Sequence, residues 1–291
     1  MSNLSAIRKR IKSTKSTQQI TKAMKMVAAA KLRGAEERLK AARPYAIMLD
    51  NVINNLLHHA PLDGYDLVHG REHVEKVELV VITSDRGLCG GFNSSIIRHV
   101  QRELPDLESK RQVEMSFVGR KAYEFFNRRE KPIRKSYLNL LRDFDFSLAQ
   151  RVGEELIEHF HSGGADEIYI VYNEFVSAIS QRIVTRRLIP VEIPDDPIDD
   201  DRERLLDYKY EPGMEAILKD LLPREVNYQL YRAFLESFAA EMGARMNAME
   251  NATRNAGEMI DRLTLLYNRS RQAAITVELT EIVNGAEALK G

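Results

Sequence analysis

The sequence has a single cysteine, Cys89, among its 291 residues. One thiol excludes an internal disulfide, a thiol switch within the chain and a zinc site built mainly from cysteine. No run approaches the roughly 18 consecutive apolar residues of a transmembrane helix, and the N-terminus lacks the short apolar block of a secretory signal. These absences predict a protein that stays in a reducing cytoplasm.

Proline and glycine are also scarce near both ends of the chain. Between Leu4 and Leu57 there is one glycine, Gly34, and one proline, Pro44, among residues that favour helix. Apolar residues recur at alternating steps of three and four, which predicts a long helix with a coiled-coil seam. The seam comprises Leu32, Ala35, Leu39, Ala42, Ala46, Leu49, Ile53 and Leu56. Ahead of it, a stripe steps by four and predicts a local relaxation of the supercoil, through Ile20, Met24, Ala28 and Leu32.

A second long helix is expected at the C-terminal end. Pro223 suits the first position of a helix, and no proline follows it. The predicted seam again alternates steps of four and three, through Met242, Met246, Met249, Thr253, Ala256, Ile260, Leu263, Tyr267, Ser270, Ala274 and Val277. A helix with a one-sided apolar stripe does not stay folded alone. The two helices, similar in length, are therefore expected to pair as an antiparallel coiled coil.

Between these helices, short β-branched runs alternate with helical stretches, a pattern typical of βαβ units on a mainly parallel sheet. Strands are predicted at Val77–Thr83, Val113–Val118, Ile168–Tyr172 and Ile183–Ile189, and helices near 94–104, 120–128 and 147–161. An acidic stretch, Pro194 to Glu203, predicts a surface loop. The expected domains are a coiled-coil helix at 1–58, an α/β domain at 75–193, an acidic loop and connector at 194–222, and a coiled-coil helix at 223–287.

The net charge is zero, but basic residues are concentrated at the N-terminal end. Residues 1–43 contain 12 Lys or Arg and only two acids, Glu36 and Glu37. Such a segment suits nucleic acid, an anionic membrane or an acidic protein partner. The basic residues lie all round the helix without interleaved aromatics, which favours enclosure by protein. A nucleic-acid-binding arm is the alternative.

A glycine-rich turn, Ser84 to Asn93, lies between a predicted strand and a predicted helix, where backbone amides can bind phosphate. It lacks the Lys-Ser/Thr of a Walker A loop, and the spacing of Gly87, Gly90 and Gly91 is not that of a dinucleotide loop. We therefore interpret it as a structural turn, with a nucleotide-binding switch as a further alternative. Cys89 within it is interpreted as a structural thiol, because no histidine can be assigned as its base from spacing.

Two histidine pairs, His58 with His59 and His159 with His161, come without a third ligand at a recognisable spacing, so no metal site is predicted. The methionines beside the seams fill gaps between helices without any cofactor. No convincing nucleophile, acid–base pair or metal cluster is found. The sequence therefore favours a mechanical role, with no catalytic residues and no cofactor.

Three segments together resemble the gamma subunit of F-type ATP synthases, essentially from the first residue to the last. They are KSTQQITKAMKMVAAAKLR at Lys15 to Arg33, the turn SDRGLCGGFN, and ITVELTEIVNGAEA at Ile275 to Ala288. The last segment fits the family signature through Ile275, Thr276, Glu278, Glu281, Gly285 and Ala286. The resemblance implies a coiled coil of N- and C-terminal helices with an inserted Rossmann-like α/β domain.

The resemblance also implies partners. One copy of the chain would stand inside a ring of alpha and beta subunits, with the α/β domain on the membrane c-subunit ring beside the epsilon subunit. The ring contacts implied by the family's motif are Arg271, Gln272 and Thr276, faced by the stretch Lys22 to Met26, which includes Met24 and Lys25. The plastid regulatory insert is missing, and the family pattern starts almost at Met1. A peripheral protein at the cytoplasmic face of a bacterial membrane is therefore implied.

Overall fold

A computed structural model describes residues 4–59, 65–141, 144–192, 211 and 213–288. The helices are α1 (Leu4–His59), α2 (Asp66–His69), α3 (Phe92–Glu108), α4 (Arg120–Asn127), α5 (Phe146–His161) and α6 (Met214–Ala288). The strands are β1 (Lys76–Ile82), β2 (Gln112–Val118), β3 (Ile133–Tyr137), β4 (Glu167–Phe175) and β5 (Gln181–Ile189). None of the helices within these ranges is long and apolar enough to cross a membrane.

The chain divides into two compact units. One, here called the helical unit, consists of Met1–Ala28 and Met246–Gly291. The other, here called the sheet unit, consists of Ala29–Arg245. The predicted fold class, terminal helices paired antiparallel and a largely parallel α/β sheet between them in sequence, is confirmed.

In the helical unit, the beginning of α1 runs antiparallel to the end of α6. Thr14 contacts Met259, Thr21 contacts Thr253, and Lys25 contacts Glu250, so the contacts on α6 move backwards as those on α1 move forwards. The buried stripe of α1 keeps its steps of three and four through the polar residues Gln18, Thr21 and Lys25. The predicted relaxation at Ile20 is therefore wrong, because that side chain is 57% exposed while Thr21 takes the seam position.

The predicted seam of α6 is half-buried or buried as far as Ala274, but Val277 is 49% exposed. In the antiparallel register, the first described turn of α1 lies about level with Tyr267 and Ser270. The side chain of Val277 therefore has no part of the described α1 opposite it. Its assignment to the seam is corrected on this ground.

The described residues of the sheet unit form five strands in the order β3-β2-β1-β4-β5. The first four are parallel to their neighbours, whereas β5 pairs antiparallel with β4. All four predicted strands are present. The edge strand β3 was missed because its sequence, IRKSY, is mostly charged and polar and carries no apolar run.

Both faces of the sheet are covered, as is usual for parallel strands. Val77, Leu79 and Val81 of β1 pack with α3 and α4. Val80 and Ile82, which point to the opposite face, pack with α5 and with the parts of α1 and α6 that belong to the sheet unit. The seam residues Ala46, Leu49, Ile53 and Leu56 of α1 lie in this second core, so they contact more than a single partner helix.

Helix α6 begins at Met214, earlier than the predicted start at Pro223, which lies inside the helix. Leu218 and Leu222 are buried in the core ahead of the proline, and this burial stabilises helix on both sides of it. The connector predicted at 194–222 is therefore helical from Met214. Its acidic stretch, from Pro194 to Glu203, lies outside the described residues.

Candidate functional site

The helical unit contains a polar layer within its seam. The hydroxyl oxygens of Thr21 and Thr253 lie 2.7 Å apart, so that one donates to the other. Gln18 Nε2 donates to the carbonyl oxygen of Thr253 over 3.4 Å. A coiled coil places polar groups at seam positions where they fix register at a cost in stability. This layer thus fixes how α1 and α6 are aligned.

Beside this layer, an ion pair joins the two helices. Lys25 Nζ lies 2.7 Å from Glu250 Oε1, and both side chains are substantially exposed. The hydrogen bond from Lys25 lowers the pKa of Glu250. An exposed ion pair contributes little stability. Its effect here is to hold the Lys25 ammonium group against α6.

An open groove of about 640 Å³ runs along this level of the helical unit. Lys22, Lys25 and Arg254 line it, with Glu250 on the same wall, so basic groups outnumber acidic ones. Gly257 on its floor leaves room for Gln18, since a Cβ there would lie 3.1 Å from Gln18 Nε2.

The residues implied as ring contacts occupy two separate levels of the helical unit. Lys22 and Met26 are exposed, and Met24 and Lys25 are half-buried beside Glu250 and Thr253. Arg271, Gln272 and Thr276 are exposed on α6. Eighteen residues of helix separate Thr253 from Arg271, about 27 Å along the axis. The expectation that Lys22–Met26 faces Arg271–Thr276 is therefore wrong.

The family-signature segment forms the end of α6. Ile275, Thr276, Glu278, Glu281, Gly285 and Ala286 are all exposed. Large apolar side chains here are also exposed, namely Ile275, Val277, Leu279, Ile282 and Val283, at 48–66%. A contiguous exposed apolar segment marks an interaction surface. The segment has the character of a helix end that a protein partner encloses.

In the sheet unit, the turn from Ser84 to Asn93 is held by hydrogen bonds of its own side chains. Ser84 N donates to Asn93 Oδ1 over 3.0 Å, and Asn93 Nδ2 donates to Ser84 Oγ over 2.7 Å. Gly90 has a φ of +57°, a conformation that side-chain-bearing residues rarely adopt. Gly87 and Gly91 do not have a positive φ, and there is space around both of them. Of these three positions, the backbone conformation therefore requires a glycine at Gly90 alone.

Cys89 is buried within this turn, where it packs against Phe92 of α3 and Ala240 of α6. Asn93 Nδ2 donates to its sulfur over 3.2 Å. Burial raises the pKa of the Cys89 thiol, which lowers the fraction of reactive thiolate. The geometry supports the interpretation of Cys89 as a structural thiol.

Arg245 of α6 donates hydrogen bonds to the same turn. Its Nη2 donates to the carbonyl oxygens of Arg86 and Gly87, over 3.4 and 3.2 Å, while Nη1 lies 2.5 Å from Glu241 Oε1. Burial raises the pKa of Glu241, and the charge of Arg245 opposes that rise. The sequence did not single out either residue, although their i,i+4 spacing on a helix is a recognisable pairing signal.

Comparison with known proteins gives a full-length match. The chain matches the family model described as ATP synthase over residues 3–289. It is 48% identical over 294 residues to the ATP synthase gamma chain of Anaeromyxobacter sp. (strain Fw109-5), and both chains are covered completely. It is 45% identical over 292 residues to the ATP synthase gamma chain of Geotalea uraniireducens (strain Rf4), again covering both.

Solved structures give the same result. A chain of the central stalk and c-ring of Tetrahymena thermophila mitochondrial ATP synthase is similar with a TM-score of 0.60 at 28% identity, covering 80% of this chain and 99% of that one. A chain of Euglena gracilis mitochondrial ATP synthase has a TM-score of 0.70 at 22% identity, covering 98% and 94%. The second likeness bears on the fold alone.

Proposed function

Because the chain belongs to the ATP synthase gamma-chain family, we propose that it is the central rotor shaft of an F-type ATP synthase. It couples ion flow through a membrane rotor ring to ATP synthesis or hydrolysis in a ring of alpha and beta subunits. The observation that carries this proposal is the full-length match to gamma chains. Those relatives give no support to the nucleic-acid alternative.

The partners follow from the same proposal. The helical unit enters the alpha/beta ring, and the exposed apolar end of α6 is enclosed by it. The sheet unit lies on the c-subunit ring beside the epsilon subunit, at the cytoplasmic face of a bacterial membrane. One copy serves each complex, and the chain carries no catalytic site of its own.

Two groups of side chains are proposed to contact the ring at different heights. One level lies near the end of α6 and consists of Arg271, Gln272 and Thr276. The other level is the stretch Lys22–Met26, which lies beside the open groove described above. Lys22 and Met26 in the one group, and all three residues of the other, are exposed, as a contact surface requires. The separation of about 27 Å allows each level to meet a different part of a catalytic subunit.

The mechanism rests on asymmetry. Two helices cannot present the same surface to three catalytic subunits, so each subunit is held in a different conformation. Turning the shaft then shifts the population of conformations in every subunit, and with it the affinity for nucleotide. One charge crossing 100 mV supplies only about 2.3 kcal/mol, so several ions are needed for each ATP. A stiff pair of helices stores that energy between steps.

Co-expression with the alpha and beta subunits tests the proposal. We expect the chain to co-purify as one copy for three alpha-beta pairs and to raise ATPase turnover over the ring without it. A chain that stays apart from the ring and leaves turnover unchanged would show that the proposal is wrong. Binding of RNA with a steep salt dependence would then favour the basic arm.

A further inference from the structure

One group of acidic and imidazole side chains converges within the sheet unit, away from the surfaces described above. Glu78 of β1 and Glu114 of β2 are neighbours in the parallel register. Both point to the face of the sheet that α5 covers, and His159 near the end of α5 lies over them. Among the described residues, this is the group whose ligand atoms fit together, all within 4.8 Å of one another.

The distances leave room for an ion with small movements. His159 Nε2 lies 3.9 Å from Glu78 Oε2 and makes a short hydrogen bond with Glu114 Oε1. Metal–ligand bonds of about 2.0–2.2 Å set the ligand atoms of a tetrahedral site roughly 3.4 Å apart. The two separations from His159 Nε2 lie on either side of this value, and small movements of the side-chain ends would bring them to it.

Glu78 supplies an independent reason to expect an occupant. Its side chain is fully buried, and Oε2 makes no hydrogen bond within 3.5 Å among the described residues. Its other oxygen accepts from Arg134 Nε over 2.8 Å. Burial raises the pKa of Glu78, and Arg134 and the nearby Ser116 hydroxyl oppose that rise. A buried carboxylate oxygen without a partner is costly, and such an atom in a native structure calls for a ligand, an ion or water. The unpartnered oxygen is the one that points towards His159.

The charges favour a cation. Two carboxyl groups, those of Glu78 and Glu114, face one guanidinium group, that of Arg134, so acidic groups outnumber basic ones at this point. The site also has an entry path, because the side chains of Glu114 and His159 are 29% and 21% exposed. Gly164 makes room for the imidazole, since a Cβ there would lie 2.0 Å from His159 Cε1.

We propose that Glu78 Oε2, Glu114 Oε1 and His159 Nε2 bind a divalent transition-metal ion of the Zn²⁺ type. Two carboxylates and one imidazole suit Zn²⁺ or Co²⁺, whereas Mg²⁺ prefers oxygen ligands and retains its waters. The ion replaces the hydrogen bond between His159 Nε2 and Glu114 Oε1, and the imidazole binds as the tautomer that carries its proton on Nδ1, while Arg134 holds Glu78 in place from the other side. The ion would cross-link β1, β2 and α5, which is a structural role that does not depend on the rotor proposal.

Calorimetric titration of the metal-free full-length chain with Zn²⁺ tests the proposal, with Mg²⁺ as a comparison. We expect one strong Zn²⁺ site, a rise in the thermal midpoint, and no comparable effect of Mg²⁺. Co²⁺ bound at the same site gives visible absorption bands that report imidazole coordination. Absence of strong Zn²⁺ binding would overturn the proposal.

Two matched histidine variants locate the site. His159→Gln should weaken Zn²⁺ binding by at least about 10–100-fold, the loss that follows removal of even an outer-shell partner of a metal ligand. His161→Gln changes an exposed histidine two residues further along the chain and should leave binding unchanged. Loss of binding in His161→Gln with retention in His159→Gln would contradict the assignment. Circular dichroism of both variants checks that each is folded.

Discussion

The Thr21 and Thr253 hydroxyl oxygens lie 2.7 Å apart across the seam of the helical unit. Thr253→Val removes the partner across the seam from the buried Thr21 hydroxyl, which keeps its bond to the carbonyl oxygen of Gln18, so the expected cost is about 0.5–1.5 kcal/mol in the free energy of unfolding. The double variant Thr21→Val with Thr253→Val should recover most of this loss, because two apolar groups then face each other. Urea unfolding of all three variants gives the coupling energy.

Thr264→Val is the control, since Thr264 is exposed and bonds only to its own helix at Ile260. A cost for Thr253→Val no larger than for this control, or a double variant as unstable as the sum of the two single ones, would contradict the role given to the polar layer.

Replacement of Arg245 should destabilise the sheet unit. Arg245→Met leaves the carbonyl groups of Arg86 and Gly87 without this donor and Glu241 without its charge partner. The expected cost is about 3–5 kcal/mol, because both side chains are largely buried. Lys219→Met breaks an exposed pair with Glu215 at the same helical spacing and should cost well under 1 kcal/mol.

The loss in Arg245→Met should also depend on pH. Burial raises the pKa of Glu241 above its ordinary value of 4.5, and Arg245 opposes the rise, so the variant has the higher pKa. An acid whose pKa rises on folding holds its proton more tightly in the folded state, so stability falls as pH increases above the ordinary value. The destabilisation should therefore be larger at pH 8 than at pH 5. An equal loss at both pH values would show that Glu241 does not titrate in this way.

The architecture could be predicted from the sequence because most of its helices and strands show a regular spacing of apolar residues. The long helices and four of the strands follow from runs of apolar residues at regular spacing. Strand β3 was not predictable in this way, since its edge position needs no apolar run. The seam at Gln18, Thr21 and Lys25 was missed for a related reason, because an apolar count overlooks polar residues that find partners on the other helix.

The candidate site was only partly accessible from sequence. The resemblance gave the contact residues, but their two levels depend on the antiparallel register, which no single helix encodes. The group formed by Glu78, Glu114 and His159 depends on the neighbouring register of β1 and β2 and on the end of α5. Residues so distant in the chain become neighbours only through the sheet, so spacing along the sequence does not reveal them.

Cys89 should react slowly with thiol reagents in the folded chain. Its side chain is buried, and burial raises its pKa, so both access and thiolate fraction are reduced. We expect maleimide labelling of Cys89 to be negligible in buffer and complete in denaturant. Ile179→Cys places a thiol at a position that is 83% exposed and should label quickly. Rapid native labelling of the parent chain would contradict the buried position of Cys89.

Substitutions at the contact level near the end of α6 should affect activity without affecting folding. Arg271→Ala with Gln272→Ala removes exposed side chains, so the free energy of unfolding should change by no more than about 0.5 kcal/mol. The ATPase rate of the assembled complex should fall, because the shaft then holds the catalytic subunits less firmly. Arg269→Ala, a nearby exposed change on the same helix, is the control. Equal rates in both variants would remove Arg271 and Gln272 from the contact.

Single-molecule rotation addresses the rotor proposal itself. The alpha/beta ring is fixed to a surface, and a probe is attached to Ile179→Cys, which labels selectively because the one native thiol is buried. If the rotor proposal is correct, we expect ATP to drive rotation of the probe in one direction, with pauses that repeat with the threefold symmetry of the ring. A probe that stays fixed relative to the ring while the same complexes hydrolyse ATP would contradict it.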